Sequence, residues 1–149
     1  MNTQPPSSPF NVDNFKSIYQ TFDSKMLSHL PSLYSQDIVF KDPIHQLHGL
    51  DALGRYFANF LSPELKCSFV FNNQLITNEQ AFLQWQMHYR HPHLKNGNSL
   101  TLNGGTLIKF NSHIYYHEDF YDMGAMLYQH IPVLGWAVKK INARLVSSS

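Results

Sequence analysis

Between Lys66 and Asp122 the chain adopts a period of two, and this constrains the fold more than any single motif. From Ala81 to His91, Leu83, Trp85, Met87 and Tyr89 alternate with Gln84, Gln86, His88 and Arg90. Side chains of a strand point to opposite faces in turn, so this run reads as a strand with one buried face. Lys66 to Asn73 reads as a strand before it. Lys95-Asn96-Gly97-Asn98 signals a hairpin, because Asn and Gly accept the positive φ of a tight turn. Ser99 to Phe110 reads as the returning strand, with Gly104-Gly105 in its middle. Paired glycines there predict a bulge or sharp bend that curls the sheet. Asn111-Ser112 marks another turn, and His113 to Asp122 is the last strand.

The first sixty residues follow a different period. Val12, Phe15, Ile18, Tyr19, Phe22 and Met26 recur at helical spacing, with Asn11 or Asp13 as a cap. A short helix follows and ends near Leu33-Tyr34. A strand comes next, and Gly49 then opens a helix with Leu53, Tyr56, Phe57 and Phe60 on one side, stopped by Ser62-Pro63. After residue 122, Met126, Leu127, Ile131, Leu134, Ala137, Val138, Ile141 and Leu145 indicate a C-terminal helix broken or kinked at Pro132 and Gly135. The expected fold class is α+β: a cone-shaped curved antiparallel sheet wrapped around the N-terminal helices, with a C-terminal helix. Residues 1–10 are expected to be disordered, and residues 11–146 to form a single domain.

Composition narrows the function classes. Hydrophobic residues make up 43% of the 149 and charged residues 14%, the opposite balance to a disordered chain. Eleven Phe and eight Tyr favour a sheet with an aromatic interior. The net charge of +1 gives no argument for nucleic acid or an acidic membrane surface. The start of the chain lacks a basic segment followed by an apolar one, so no signal peptide is expected. No apolar run reaches the length of a membrane span. The single Cys67 has no internal disulfide partner and reads as a small core residue in a reducing compartment. A cytoplasmic protein is the expectation. No phosphate loop or metal-ligand spacing occurs. His91-Pro92-His93 lacks the third ligand that a metal site needs, so neither metal nor cofactor is expected.

Candidate chemistry centres on Asp42. In the strand segment Asp37-Ile38-Val39-Phe40-Lys41-Asp42-Pro43, the residues Ile38, Phe40 and Asp42 share a face. An acid following two apolar residues on that face suggests a carboxyl aimed into an apolar interior, where ionisation is costly and the group is suited to proton transfer. The competing reading is that Asp42 opens a turn with Pro43. The last strand carries His117, Asp119 and Tyr121 on one face and Tyr116, Glu118, Phe120 and Asp122 on the other. His117 could hold Asp119 ionised or act as a base itself. The alternative there is a surface ladder or a dimer contact.

In this order of elements the sequence resembles the nuclear transport factor 2-like superfamily, and more narrowly its SnoaL-like and ketosteroid-isomerase-like proteins. The matching segments are Leu33 to Pro43, Gly49 to Phe57, Phe82 to Met87, Leu107 to Asn111 and His117 to Asp122, and the resemblance covers roughly residues 10 to 125. It implies a homodimer with a ligand pocket between the sheet and the first helices. It does not fix a function, because the fold hosts isomerases, cyclases, hydrolases and non-catalytic binding domains. In ketosteroid isomerases the acid of a motif like Asp42-Pro43 is the general base, while a Tyr on the first helix and a protonated Asp on a later strand form the oxyanion hole. The resemblance puts Tyr19 in the place of that Tyr. Thr106 stands where the Asp should be, a weaker donor that counts against a steroid isomerase. In SnoaL-like cyclases a carboxylate on a late strand acts as the acid–base group, which the resemblance carries onto Asp119.

Asp42, Asp119, His117 and Tyr19 are therefore the candidate catalytic residues. Phe40, Trp85, Met87, Tyr89, Thr106 and Met126 are the candidate ligand-binding ones. Ordinary core packing is the competing reading for Tyr19 and for the Trp85, Met87, Tyr89 stripe. The methionine-rich segment Met123 to His130 reads as a lid over the cone or as simple terminal packing. A membrane-surface role, with Trp136, Lys139, Lys140 and Arg144 flanking apolar residues, is a third possibility. The two functional hypotheses are an enzyme acting on a small, mostly apolar ligand with an enolisable carbon, and a domain that binds a ligand or partner without chemistry.

Overall fold

The computed structural model describes residues 10–61, 63–93, 95–122 and 124. Three helices and six strands follow in the order α1 (Val12–Gln20), α2 (Met26–Leu33), β1 (Tyr34–Lys41), β2 (Gln46–His48), α3 (Leu50–Phe60), β3 (Lys66–Ile76), β4 (Gln80–Arg90), β5 (Leu100–Phe110) and β6 (Ile114–Tyr121). The strands form one curved, unclosed sheet in the order β2-β1-β6-β5-β4-β3. The α+β expectation holds. One pairing differs from an antiparallel meander: β1 runs parallel to β6. β1 precedes the meander in the chain and pairs with its last strand. The expected C-terminal helix, Met126 and the membrane-surface residues lie outside the described residues.

The helical run predicted from Val12 to Met26 stops at Gln20, and Met26 instead opens the short second helix expected to end near Leu33. Asn11 caps α1, its side chain accepting from the Asn14 amide at 3.2 Å. The helix stops at Gln20 because the next segment is claimed by other partners. The Phe22 amide bonds the Cys67 carbonyl of β3 at 3.1 Å, and Asp23 bonds the Lys25 amide through its side chain and the Met26 amide through its carbonyl. Phe22 and Met26 still reach the core, which is why their spacing imitated a single helix.

Gly104 and Gly105 correct a second expectation. The pairing of β4 with β5 runs through them without interruption, as Trp85↔Gly104 and Gln84↔Gly105, so there is no bulge at this point. The glycines instead make room for aromatic rings. A Cβ on Gly104 would lie 2.6 Å from Cζ2 of Trp85 and 2.7 Å from the Phe120 carbonyl oxygen, and one on Gly105 would lie 2.5 Å from Cζ of Phe82. Strand β5 thus surrenders two side chains: Gly104 lets Trp85 lie across it on the inner face, and Gly105 lets the exposed Phe82 lie across it on the other. The Asn96-Gly97 turn is as its sequence predicts, with φ of 57° and 79° at the two residues.

The core lies between the concave face and the helices. Leu83, Trp85, Met87 and Tyr89 of β4 are all buried, as their alternation requires, and Ile38 and Phe40 of β1 join them. Phe15 and Tyr19 of α1 and Phe57 of α3 pack against this face. No helix among the described residues is long and apolar enough to cross a membrane.

Candidate functional site

An aromatic cavity of about 60 Å³ opens between the helices and the concave face. Phe22, Phe40, Phe57, Phe60, Phe69, Trp85, Met87 and Leu102 give it mostly apolar walls; Tyr19, Tyr56, Tyr121, Asp42 and Asp119 bring polar groups to it. A single water needs roughly 10–15 Å³, and typical ligand pockets run from about 300 Å³ upward, so these walls enclose something small.

Asp42 meets both readings proposed for it. It follows β1, and the alternation of Ile38, Phe40 and Asp42 carries its side chain inward to 2% exposure. Its Oδ1 accepts from the backbone amides of Ile44 at 2.8 Å and His45 at 2.6 Å, the local turn that an Asp before Pro favours. Its Oδ2 accepts from the Tyr56 hydroxyl of α3. The imidazole Nδ1 of His45 lies 3.7 Å from Oδ1, and the ring meets Tyr56 edge-on. Both oxygens of Asp42 are thus engaged.

Asp119 is held differently. Trp85 is a donor only, and its indole N–H donates to the Thr106 hydroxyl at 2.8 Å. Thr106 therefore turns its own proton to Oδ1 of Asp119, at 2.6 Å. The same Oδ1 lies 2.7 Å from Nε2 of His117. No described residue bonds Oδ2, and the side chain is 22% exposed. His117 is 1% exposed, lies among the rings of Phe40, Tyr34, Phe15 and Tyr19, and bonds the Tyr34 hydroxyl through Nδ1 at 2.9 Å. Tyr34 in turn bonds the Tyr19 hydroxyl at 2.5 Å.

The phenols of this site are donors, not bases. Burial pushes the Tyr19, Tyr34, Tyr56 and Tyr121 hydroxyls well above the usual phenol range, and neighbouring Asp42 and Asp119 push Tyr56 and Tyr121 further in the same direction. Each keeps its proton at ordinary pH. Burial also pushes the Cys67 thiol up to about 12, which leaves it unreactive, in keeping with its expected place in the core.

Of the candidates read from sequence, Asp42, Asp119, Tyr19, Phe40, Trp85 and Met87 border one cavity. His117 and Thr106 stand behind Asp119 and do not line it. Tyr89 lines a separate groove with Phe22, Cys67, Lys66 and Arg90. Tyr56, Tyr121 and Tyr34 were not singled out. Tyr121 could have been, since it shares the His117 and Asp119 face, but Tyr56 and Tyr34 enter only through tertiary contacts. Among the described residues no group of three His, Cys, Asp or Glu is placed to hold a metal ion.

The SnoaL-like domain family matches over residues 15–125. No curated protein matches the chain. Solved structures resemble it at low identity. A candidate SnoaL-like polyketide cyclase from Jannaschia sp. CCS1 is 11% identical, with TM-score 0.68, covering 89% of this chain and 98% of its own. A protein with a ketosteroid isomerase-like fold from Catenulispora acidiphila, solved with trimethylamine, is 11% identical, with TM-score 0.65 and coverages of 79% and 89%. An LEH-like epoxide hydrolase of M. tuberculosis is 10% identical, with TM-score 0.63 and coverages of 87% and 88%. At these identities the likeness is one of fold.

Proposed function

The chain belongs to the SnoaL-like domain family, and from that premise we propose that it performs acid–base chemistry on a small, mostly apolar molecule with an enolisable carbon. One observation carries the reading: Asp119 borders an aromatic cavity with one oxygen held by Thr106 and His117 and the other without a hydrogen bond among the described residues. A carboxyl fixed at one oxygen keeps the second available at a set angle, as a proton acceptor requires. Asp42, with both oxygens engaged, supports the site by taking the Tyr56 hydroxyl proton and fixing that ring beside the same space. The mostly apolar walls favour a mostly apolar ligand.

The test is turnover of small cyclic β,γ-unsaturated ketones, followed by the absorbance of the conjugated product. Turnover by the wild-type chain that is lost in Asp119→Asn supports the proposal. No turnover of any member, or full turnover by Asp119→Asn, sinks it. A non-catalytic binding domain is the second reading, favoured by the small enclosed volume. It predicts saturable binding of the same ketones without conversion.

Two coarser features accompany the proposal. A homodimer through the outer sheet face is supported by exposed Val70, Phe82 and Phe120, the last two with ring centroids 6.3 Å apart. Sedimentation that returned a monomer at micromolar concentration would remove it. A cytoplasmic location fits the lone, buried Cys67.

A further inference from the structure

Two residues that do not line the cavity connect two that do. Asp119 and Tyr19 both border it; His117 and Tyr34, each 1% exposed, join them through contacts of 2.7, 2.9 and 2.5 Å. We propose that Asp119, His117, Tyr34 and Tyr19 form one proton-transfer unit whose two ends meet the same ligand, with Tyr34 as the link. This rests on the acid–base reading above and names the source of the second proton.

Hydrogen-bond capacity fixes how the unit can be arranged. A phenol donates one proton, neutral imidazole one and imidazolium two. With His117 as imidazolium beside ionised Asp119, Nε2–H donates to Asp119 and Nδ1–H donates to Tyr34. Tyr34 then donates to Tyr19, and the Tyr19 hydroxyl proton is left for the cavity. With neutral imidazole carrying its proton on Nε2, Nδ1 accepts from Tyr34, and Tyr34 accepts from Tyr19. The Tyr19 proton is then turned inward. The charge on His117 therefore decides whether Tyr19 is a donor or an acceptor toward a ligand.

The step balances within the unit. Oδ2 of Asp119 takes the proton from a carbon next to a carbonyl. The C–H electron pair forms the carbon–carbon double bond, and the carbonyl π pair moves to oxygen. That oxygen takes the Tyr19 proton, Tyr34 refills Tyr19, and Nδ1–H of the imidazolium refills Tyr34. Asp119 has gained one proton and His117 has lost one. Return of the Asp119 proton to a different carbon, with the enol proton going back to Tyr19, restores the starting state. The ligand leaves as an isomer, and the cycle needs no proton from solvent. Burial of both linking residues excludes water from the path, and burial keeps each phenol protonated and able to pass a proton on.

The test is a double-mutant cycle with Tyr19→Phe and Tyr34→Phe, read by ¹⁵N NMR of histidine-labelled protein without ligand. Each change keeps the ring and removes only the hydroxyl, so ring-current effects stay constant. The expected result is that Tyr19→Phe shifts the His117 Nδ1 signal when Tyr34 is present and leaves it unmoved when residue 34 is Phe. An equal shift in both backgrounds, or none in either, overturns the link. Should Tyr34→Phe not fold, Tyr19→Phe alone decides: a shift at Nδ1 supports the link and no shift overturns it. On a ketone that the wild type converts, Tyr34→Phe is expected to lower kcat about 100-fold with KM unchanged, the low end for general acid–base catalysis. An unchanged kcat overturns the relay. A wild type inert toward every ketone removes the proposed function, while the NMR cycle still decides the link.

Discussion

The two carboxyls that border the cavity are chemically alike and structurally opposite. Asp42 is 2% exposed and spends both oxygens on a turn and on Tyr56; Asp119 is 22% exposed and, among the described residues, is held at a single oxygen. The first is built into the scaffold, and the second is presented by it. Polar groups held on every side keep a structure in place, whereas an acid that must accept a proton needs one side left open. Proximity to an apolar pocket therefore does not separate a base from a structural acid. In the proposed function, the count of oxygens engaged by described residues is what separates them.

The sharpest way to break this comparison is turnover. On any converted ketone, Asp119→Asn is expected to lower kcat by about 10²–10⁴, the range for loss of a general base, while Asp42→Asn costs less than about tenfold. The reverse order would exchange the roles of the two acids.

Stability should run the other way. Asp42→Ala strands the Ile44 and His45 amides and the Tyr56 hydroxyl, and an unsatisfied buried donor costs about 1–3 kcal/mol. We expect a loss of about 2–4 kcal/mol in urea unfolding, the turn amides regaining water in part. Asp119→Ala strands the Thr106 hydroxyl and one nitrogen of His117, and its neighbourhood is wetter. About 1–2 kcal/mol is expected there. Equal losses would mean that Asp119 is as much a part of the scaffold as Asp42.

The difference between the two sites also explains what the sequence could disclose. Asp42 was legible because everything that places it is local: Ile38 and Phe40 set its face, and Pro43 with the next two amides sets its turn. The β4 stripe was legible for the same reason. Asp119 was found on the correct face with His117, but its support was not. Trp85 and Thr106 lie on neighbouring strands, and Tyr34 lies 83 residues before His117 in the chain, with Tyr19 earlier still. The parallel capture of β1 by β6 brings Tyr34 opposite Ile114, and no period along the chain announces a partner so distant. Gly104 misled for a related reason. A glycine inside a strand signals that something needs room, and the sequence does not say whether that is a bend in its own backbone or a ring from the next strand. Gly104→Ala measures which: pressed against Trp85, the added methyl should cost about 1–3 kcal/mol and move the indole off Thr106, so that kcat falls as well. The same substitution at a true bulge would leave the indole where it is.

Alkali gives the finest comparison. Tyr56 belongs to the Asp42 side and Tyr34 to the Asp119 side, and burial raises both phenols well above the ordinary value of 10.0. A group whose folded pKa lies above its unfolded one stabilises fully below the unfolded value, and that stability drains away as pH rises past it. The unfolded chain releases each phenolic proton near pH 10 while the folded chain retains it, so each buried phenol should steepen the alkaline loss of stability by up to about 1.4 kcal/mol per pH unit. Tyr56→Phe and Tyr34→Phe should each flatten the stability curve above pH 10. As long as both folded phenols keep their protons, the two substitutions should flatten the curve to the same extent. A slope left unchanged by either substitution would mean that the folded chain releases that phenolic proton along with the unfolded one, and that burial does not hold it.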